Sequence, residues 1–422
     1  ARLALSPQEY SDWQAQRVAR RLVPPRVGGV RVAQTRFVNP DVFSLPGVLG
    51  KGEQIGEIDS EALERTIRRW SGSGDFTSIA YSLRPDRSGY TLWVDPQEKS
   101  WGPDYVQLGF AGFADSHSNA DFAVSAILRK TWQNRSGGEW LSRAHFGRKR
   151  ELETRWFQPL GVGSPWYVEP RLRVTSQPRK VFANNVVLGE FTTEREELEI
   201  GGGVQDSFGE AHFGLVRSLA KTSSHIGFTN IDPFRTNVSG WRLRLTHDSL
   251  DDLDFPRSGS AVRIETFHSL QGLGATSSYR RSEADLQTVF SRNDHTVRLR
   301  SYLARVDSGG QGTLDLVSTG GFMRLSGYQN GQFLSRGVAF GSLTYYQRLV
   351  GLPQPLGSGL FVGGALEYAR IRSLLGMRWG SSINRTGMAV FVGASTGFGP
   401  VYLGVGFGQQ RQRNLYLFIG RP

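Results

Sequence analysis

The sequence predicts a mainly β fold: a sixteen-stranded antiparallel transmembrane β-barrel over residues 102–422, preceded by one small α+β domain over 26–101 in the order β-α-α-β-β. Three observations predict it. From Tyr105 to Pro422 short segments alternate apolar and polar residues, which turns one set of side chains outward and the other inward. No stretch approaches the roughly 18 consecutive apolar residues of a membrane helix. The strands are even in number, about ten residues long or more, and separated by Gly, Asn, Asp and Pro clusters. A closed barrel is the sheet that leaves no unpaired backbone edge in lipid.

Residues 1–25 read as a helical linker. Ser6, Pro7 and Glu9 form a capping box with Pro at the first helical position, and Pro24-Pro25 ends the helix. In the α+β domain, Gly29 to Val38 alternates as a strand and Pro40 to Leu49 is a short helical or irregular piece. Ser60 to Trp70 is a helix with Leu63, Ile67 and Trp70 on one face, and Glu61–Arg65 and Glu64–Arg68 as i,i+4 pairs on the other. Phe76 to Leu83 and Tyr90 to Asp95 are strands joined by a turn at Pro85-Asp86-Arg87-Ser88-Gly89.

Barrel strands fall near 105–115, 121–132, 138–147, 151–159, 166–182, 187–203, 210–222, 237–248, 260–270, 279–292, 295–306, 336–349, 360–370, 387–397, 400–409 and 414–420. With the α+β domain in the periplasm, the short connections fall on the periplasmic side and the longest, Asp307 to Ser335, falls outside, as barrels of this kind require. Trp241, Leu243 and Leu245 alternate with Arg242 and Arg244. Val262 and Ile264 alternate with Arg263 and Glu265, and Val297 and Leu299 with Arg298 and Arg300. The apolar sets read as lipid-facing and the arginines as lumen-facing. A soluble sandwich with one wet face is the alternative. The acidic run Glu194, Glu196, Glu197 and Glu199 reads as lumen polarity, and Trp132, Trp140, Trp156 and Trp241 are candidates for interface girdles.

The 422 residues include 52 glycines and no cysteine, which excludes disulfides, thiolate zinc sites and thiol catalysis. The net charge of +12 is dispersed among the strands, which argues against a nucleic-acid binder. Gly393-Ala394-Ser395-Thr396-Gly397 matches a nucleophile elbow in letters, but it falls inside a strand and no Asp-Gly dipeptide accompanies it. Seven scattered histidines form no helical pair, and Asp251, Asp252 and Asp254 lack calcium-loop spacing. The expectation is a chain that is not an enzyme, with no catalytic residue, no metal and no cofactor.

Three segments carry a resemblance. Gly320-Gly321-Phe322-Met323-Arg324-Leu325-Ser326-Gly327-Tyr328 lies between the eleventh and twelfth strands. It resembles the inward-folded sixth loop of the superfamily of outer-membrane assembly factors and two-partner secretion transporters, whose tip carries Val-Arg-Gly-Phe/Tyr after a Gly-Gly pair. Ser326 stands at the motif arginine, which in the family contacts the barrel wall from inside; whether Arg324, two residues earlier, replaces it stays open. Leu250, Asp251, Asp254, Phe255, Pro256 and Gly259 resemble the periplasmic turn before the ninth strand of the same superfamily. Gly137-Gly138-Glu139-Trp140 followed by Trp156-Phe157-Gln158-Pro159-Leu160 is a third match, and the domain order of 26–101 resembles a polypeptide-transport-associated (POTRA) domain. One such domain plus the loop variant looks most like the patatin-like (type Vd) autotransporters.

That resemblance implies the translocator unit of an outer-membrane autotransporter, with the POTRA-like domain in the periplasm and a fused patatin-like lipase as its own N-terminal passenger. Residues 1–25 would be the tether to that passenger; the sequence does not open on a signal peptide, which a barrel needs to cross the inner membrane, so it is expected to be a mature chain or part of a longer one. Implied partners are outer-membrane lipid, the passenger, and barrel-assembly machinery and periplasmic chaperones during biogenesis, without nucleic acid; a homodimer stays open. The alternatives are a two-partner-secretion pore or assembly factor acting on a separate protein, and an anion-permeable porin. The short last strand and the glycines of the first suggest a weak seam between them.

Overall fold

The structure, a computed structural model, describes residues 8, 26–43, 56–57, 60–72, 74–86, 89–117, 120–183, 186–226, 234–307, 315–352, 357–375, 378, 380–397 and 399–420. The linker helix expected over 1–25 lies outside the described residues except at position 8. The chain divides into two compact units, Ala1–Pro103 and Asp104–Pro422.

The first unit holds β1 (Arg26–Val32), a 3-10 turn (Pro40–Phe43), β2 (Gly56–Glu57), α1 (Ser60–Gly72), β3 (Phe76–Asp86) and β4 (Gly89–Glu98). The sheet order is β2-β1-β4-β3, with β1 parallel to β4. Leu63 and Trp70 of α1 are buried, and Trp70 packs edge-on against Phe43 at 4.9 Å. Two expectations need correction. The first strand stops at Val32 because Glu98 captures the N–H groups of Arg36, Phe37 and Val38 at 2.7, 3.2 and 2.9 Å, which removes them from the ladder. β2 is an added strand paired to β1; the helical or irregular piece expected over Pro40 to Leu49 is a 3-10 turn at Pro40–Phe43, and the rest of it lies outside the described residues.

The second unit is a closed antiparallel barrel. Its strands are β5 (Asp104–Asp115), β6 (Ala120–Lys130), β7 (Glu139–Phe146), β8 (Arg150–Pro159), β9 (Trp166–Ala183), β10 (Val186–Asp206), β11 (Gly209–Ile226), β12 (Phe234–Asp248), β13 (Gly259–Ser269), β14 (Tyr279–Arg292), β15 (His295–Val306), β17 (Phe333–Val350), β18 (Gly359–Leu374), β19 (Ser382–Thr396), β20 (Gly399–Gly408) and β21 (Arg413–Ile419). Those are the sixteen expected strands. The three-residue β16 (Val317–Thr319) sits in the long connection and pairs with Phe333–Ser335, so β17 starts earlier than the alternation alone suggests.

Apolar side chains point outward: Leu366, Met388, Val390, Val392, Leu403 and Leu415 are all exposed. An apolar exterior of this kind suits lipid rather than water. The acidic run on β10 divides by parity. Glu197 and Glu199 are buried inside, whereas Glu194 and Glu196 are exposed outside, in line with Leu198 and Ile200. The reading of all four as lumen polarity fails for those two, because successive strand residues face opposite sides. Trp132 lies in the β6–β7 turn at φ 54°, against Gly137.

The ladders differ greatly in length. β10 pairs with β9 from Val186↔Ala183 to Val204↔Trp166. β21 meets β5 only from Tyr416↔Asp115 to Ile419↔Gly112. The Asp104–Ala111 stretch of β5 is therefore laddered to β6 alone among the described residues.

Candidate functional site: a loop strung across the lumen

The connection between β15 and β17 folds into the barrel. Glycines permit its tight path: Gly320, Gly321 and Gly327 sit at φ 119°, 106° and 95°. The chain reverses through Arg324 N–H to Gly321 C=O and Gly320 N–H to Arg324 C=O, both at 3.0 Å. Leu325, fully buried, holds φ 80°, a strained conformation for a side-chain-bearing residue that persists because its surroundings enforce it.

Two anchors hold this loop to opposite walls. At its start, Asp315 receives Arg195 at 2.9 Å and the Tyr279 hydroxyl; Arg281 donates to the Asp315 carbonyl at 3.1 Å and Arg179 to the Leu316 carbonyl at 2.8 Å. At its tip, the Ser326 N–H and hydroxyl both donate to Glu367 of β18, the hydroxyl at 3.1 Å. A Cβ on Gly327 would lie 2.2 Å from Gly408 N, so only glycine fits there. Tyr328 accepts the Gln409 N–H at 3.0 Å through its hydroxyl, and the Tyr416 hydroxyl at 2.8 Å through its carbonyl.

The receiving wall is made of glycine. Gly404, Gly406 and Gly408 occupy successive inward positions of β20. A Cβ at each would strike Phe322 at 2.6 Å, Gly327 N at 2.4 Å and the Tyr328 ring at 2.8 Å. Gly387 of β19 would strike Glu367 at 2.6 Å and the Ser326 carbonyl at 2.9 Å.

The turn between β12 and β13 enters the same core. One Asp251 oxygen accepts the N–H groups of Arg257 and Ser258 at 2.7 and 3.0 Å, and Asp252 accepts those of Asp254 and Phe255 at 2.7 and 2.9 Å. These bonds point Phe255 inward, where it stacks on Phe361 at 4.0 Å and joins Tyr346, Tyr402, Phe391 and Phe322 in one cluster. Tyr346 donates its hydroxyl to the Pro256 carbonyl. Gly259, at φ 100°, approaches Ser249 too closely for any Cβ, and Leu250 N–H bonds Asp248 at 3.0 Å. Phe322 also lies against Tyr416 and Phe418 at 5.3 and 5.4 Å, and Phe418 against Phe113 at 4.8 Å, so the cluster reaches both strands of the short seam.

Of the sequence-selected arginines, Arg242, Arg244 and Arg263 sit apart from the tip, while Arg298 and Arg300 line a cavity beside it. Arg242 makes a bidentate pair with Glu197 at 2.9 and 3.0 Å, also bonds Glu199, and lies 3.3 Å from Glu265. Arg244 and Arg263 reach the same Glu265 at 3.4 and 3.3 Å. Arg300 is bidentate to Asp285 at 2.9 and 2.6 Å. Arg324 is placed over the Tyr302 ring at 6.0 Å and lines cavities with Arg298 and Arg300, while no salt bridge reaches Glu367 among the described residues. The motif position is thus met by Ser326 itself. Sequence reasoning missed Asp315, Glu367 and the glycine column; the spacing Gly404-Val405-Gly406-Phe407-Gly408 was the available signal for the last. Ser395 is a buried strand residue opposite Gly359, in no elbow.

Solved structures share the fold of this chain. BamA from Haemophilus ducreyi lacking POTRA domains 1-3 superposes with a TM-score of 0.65 at 12% identity, covering 93% of this chain and 84% of that one. CdiB from Escherichia coli gives 0.59 at 10% identity over 94% and 77%, and CdiB from Acinetobacter baumannii 0.59 at 10% over 93% and 73%. No protein-family model matches the sequence, and no curated protein matches it.

Proposed function

We propose that this chain is the translocator unit of an outer-membrane autotransporter, moving or displaying a fused N-terminal patatin-like passenger, with the POTRA-like unit in the periplasm. The carrying observation is a lumen obstructed at two levels, by the loop and by the Phe255 turn, beside a seam of four ladder positions. An open porin has neither obstruction. A lumen closed at rest and a wall that parts easily suit a polypeptide route. Fold similarity to BamA and CdiB and the ordered loop and turn motifs support the reading; the single POTRA-like unit and the Ser326 variant favour the fused form over one acting on a separate protein.

The test uses the absence of native cysteine. Register partners Ala114 and Leu417 become cysteines in a full-length chain carrying its upstream passenger. Oxidation is expected to abolish passenger exposure to added protease, and reduction to restore it. Undiminished exposure with the seam locked would sink seam opening, and large steady conductance from the untreated protein would favour the porin.

A further inference from the structure

We propose that the lumen holds a small inorganic oxyanion, of the phosphate or sulfate kind, between Arg298 of β15 and Arg324 of the loop. A cavity of about 130 Å³ lies beneath the loop tip, walled by Asp254 and Phe255 of the turn, by Phe322 and Arg324, and by Arg298, Arg300 and Thr344. Arg300 is matched by Asp285. Arg298 and Arg324 have no carboxylate within salt-bridge distance among the described residues. Arg298 and Thr344 both line this space, and the buried Arg298 Nε and Thr344 hydroxyl have no hydrogen-bond partner among the described residues.

Buried donors left unmatched are costly, and a charged acceptor is their strongest remedy. Three arginines, Arg298, Arg300 and Arg324, line the cavity with one carboxylate, Asp254, and Asp285 outside it is hydrogen-bonded to Arg300, so positive charge exceeds negative in the lining. A planar guanidinium fork suits a tetrahedral oxyanion, and the Thr344 hydroxyl supplies a third donor. An occupant here would touch turn, loop and wall together, and would tie the two obstructions into one unit.

The full chain in detergent is dialysed against radiolabelled phosphate at fixed ionic strength held with chloride. Saturable uptake of one phosphate per barrel is expected. R298Q and R324Q should each weaken it by about tenfold or more, and T344V by a few-fold, with unboiled gel mobility unchanged. R370Q, at an exposed outward position of β18, should leave it unaltered. If an arginine variant fails to fold, T344V, nearly isosteric, carries the test. Uptake that does not saturate, or that R370Q weakens as much as R298Q, overturns the proposal. The measurement needs no passenger, so its outcome is separate from that of the transport reading.

Discussion

The two sides of the lumen are built by opposite means. From β8 to β15 the inward positions carry charge: Arg155 and Arg171 on Glu169, Arg173 and Arg242 on Glu197, and His212 and Arg242 on Glu199. From β17 round to β5 they carry mainly glycine, alanine and aromatic rings, with Glu367 as the buried carboxylate that receives the loop tip. The charged side is also the side with the longest ladders, and the smooth side contains the shortest. Buried ion pairs resist sliding because each partner, once moved, leaves a desolvated charge. A wall of small residues and rings has no such penalty. The molecule thus concentrates rigidity on one side and keeps the other for docking the loop and for the seam.

The harshest way to break this contrast is to unpair the charged wall. R242A leaves Glu197 and Glu199 buried without their shared partner, and should cost about 3–5 kcal/mol. Denaturant unfolding followed by unboiled gel mobility reads it; a loss near zero would mean the wall is held by its ladders alone. G406V attacks the smooth wall instead. Its side chain would displace the loop tip, costing about 1–3 kcal/mol while barrel mobility on gels is kept, and single-channel conductance should rise. Unchanged conductance would separate the tip from the obstruction. The mildest change, D251A, loosens the turn by about 1 kcal/mol. Burial works to raise the Asp251 pKa, but the N–H groups of Arg257 and Ser258 outweigh it and hold the pKa below the ordinary carboxylate value. Its contribution is therefore present above roughly pH 4, the unfolded value, and fades as pH falls through the lower folded one. Wild type should lose this increment on acidification and D251A should not, as thermal unfolding against pH would show.

Strands were legible because alternation survives any choice of tertiary partner. All sixteen overlap the spans it gave, though several ends moved: β11 runs on to Ile226, β18 to Leu374, and β19 begins at Ser382. The loop and turn were legible through their motifs, and the structure gives each a physical task. Parity along a strand was readable but was not applied to Glu194 and Glu196. What an inward residue meets is a different matter. Glu367 lies far along the chain from Ser326, and nothing local in Ala365-Leu366-Glu367 announces a hydroxyl partner. Asp315 looks like a loop residue until two strands, β10 and β14, deliver Arg195, Tyr279 and Arg281 to it.

The glycine column of β20 has a consequence for divergence among relatives. A trough without side chains admits the main chain at Gly327 and the rings of Phe322 and Tyr328 by shape alone. Residue 326 is thereby released to drift, as long as some acceptor waits on the facing strand, while position 327 admits no substitute. Two barrels could share this mooring and yet have no recognisable letter in common except that one.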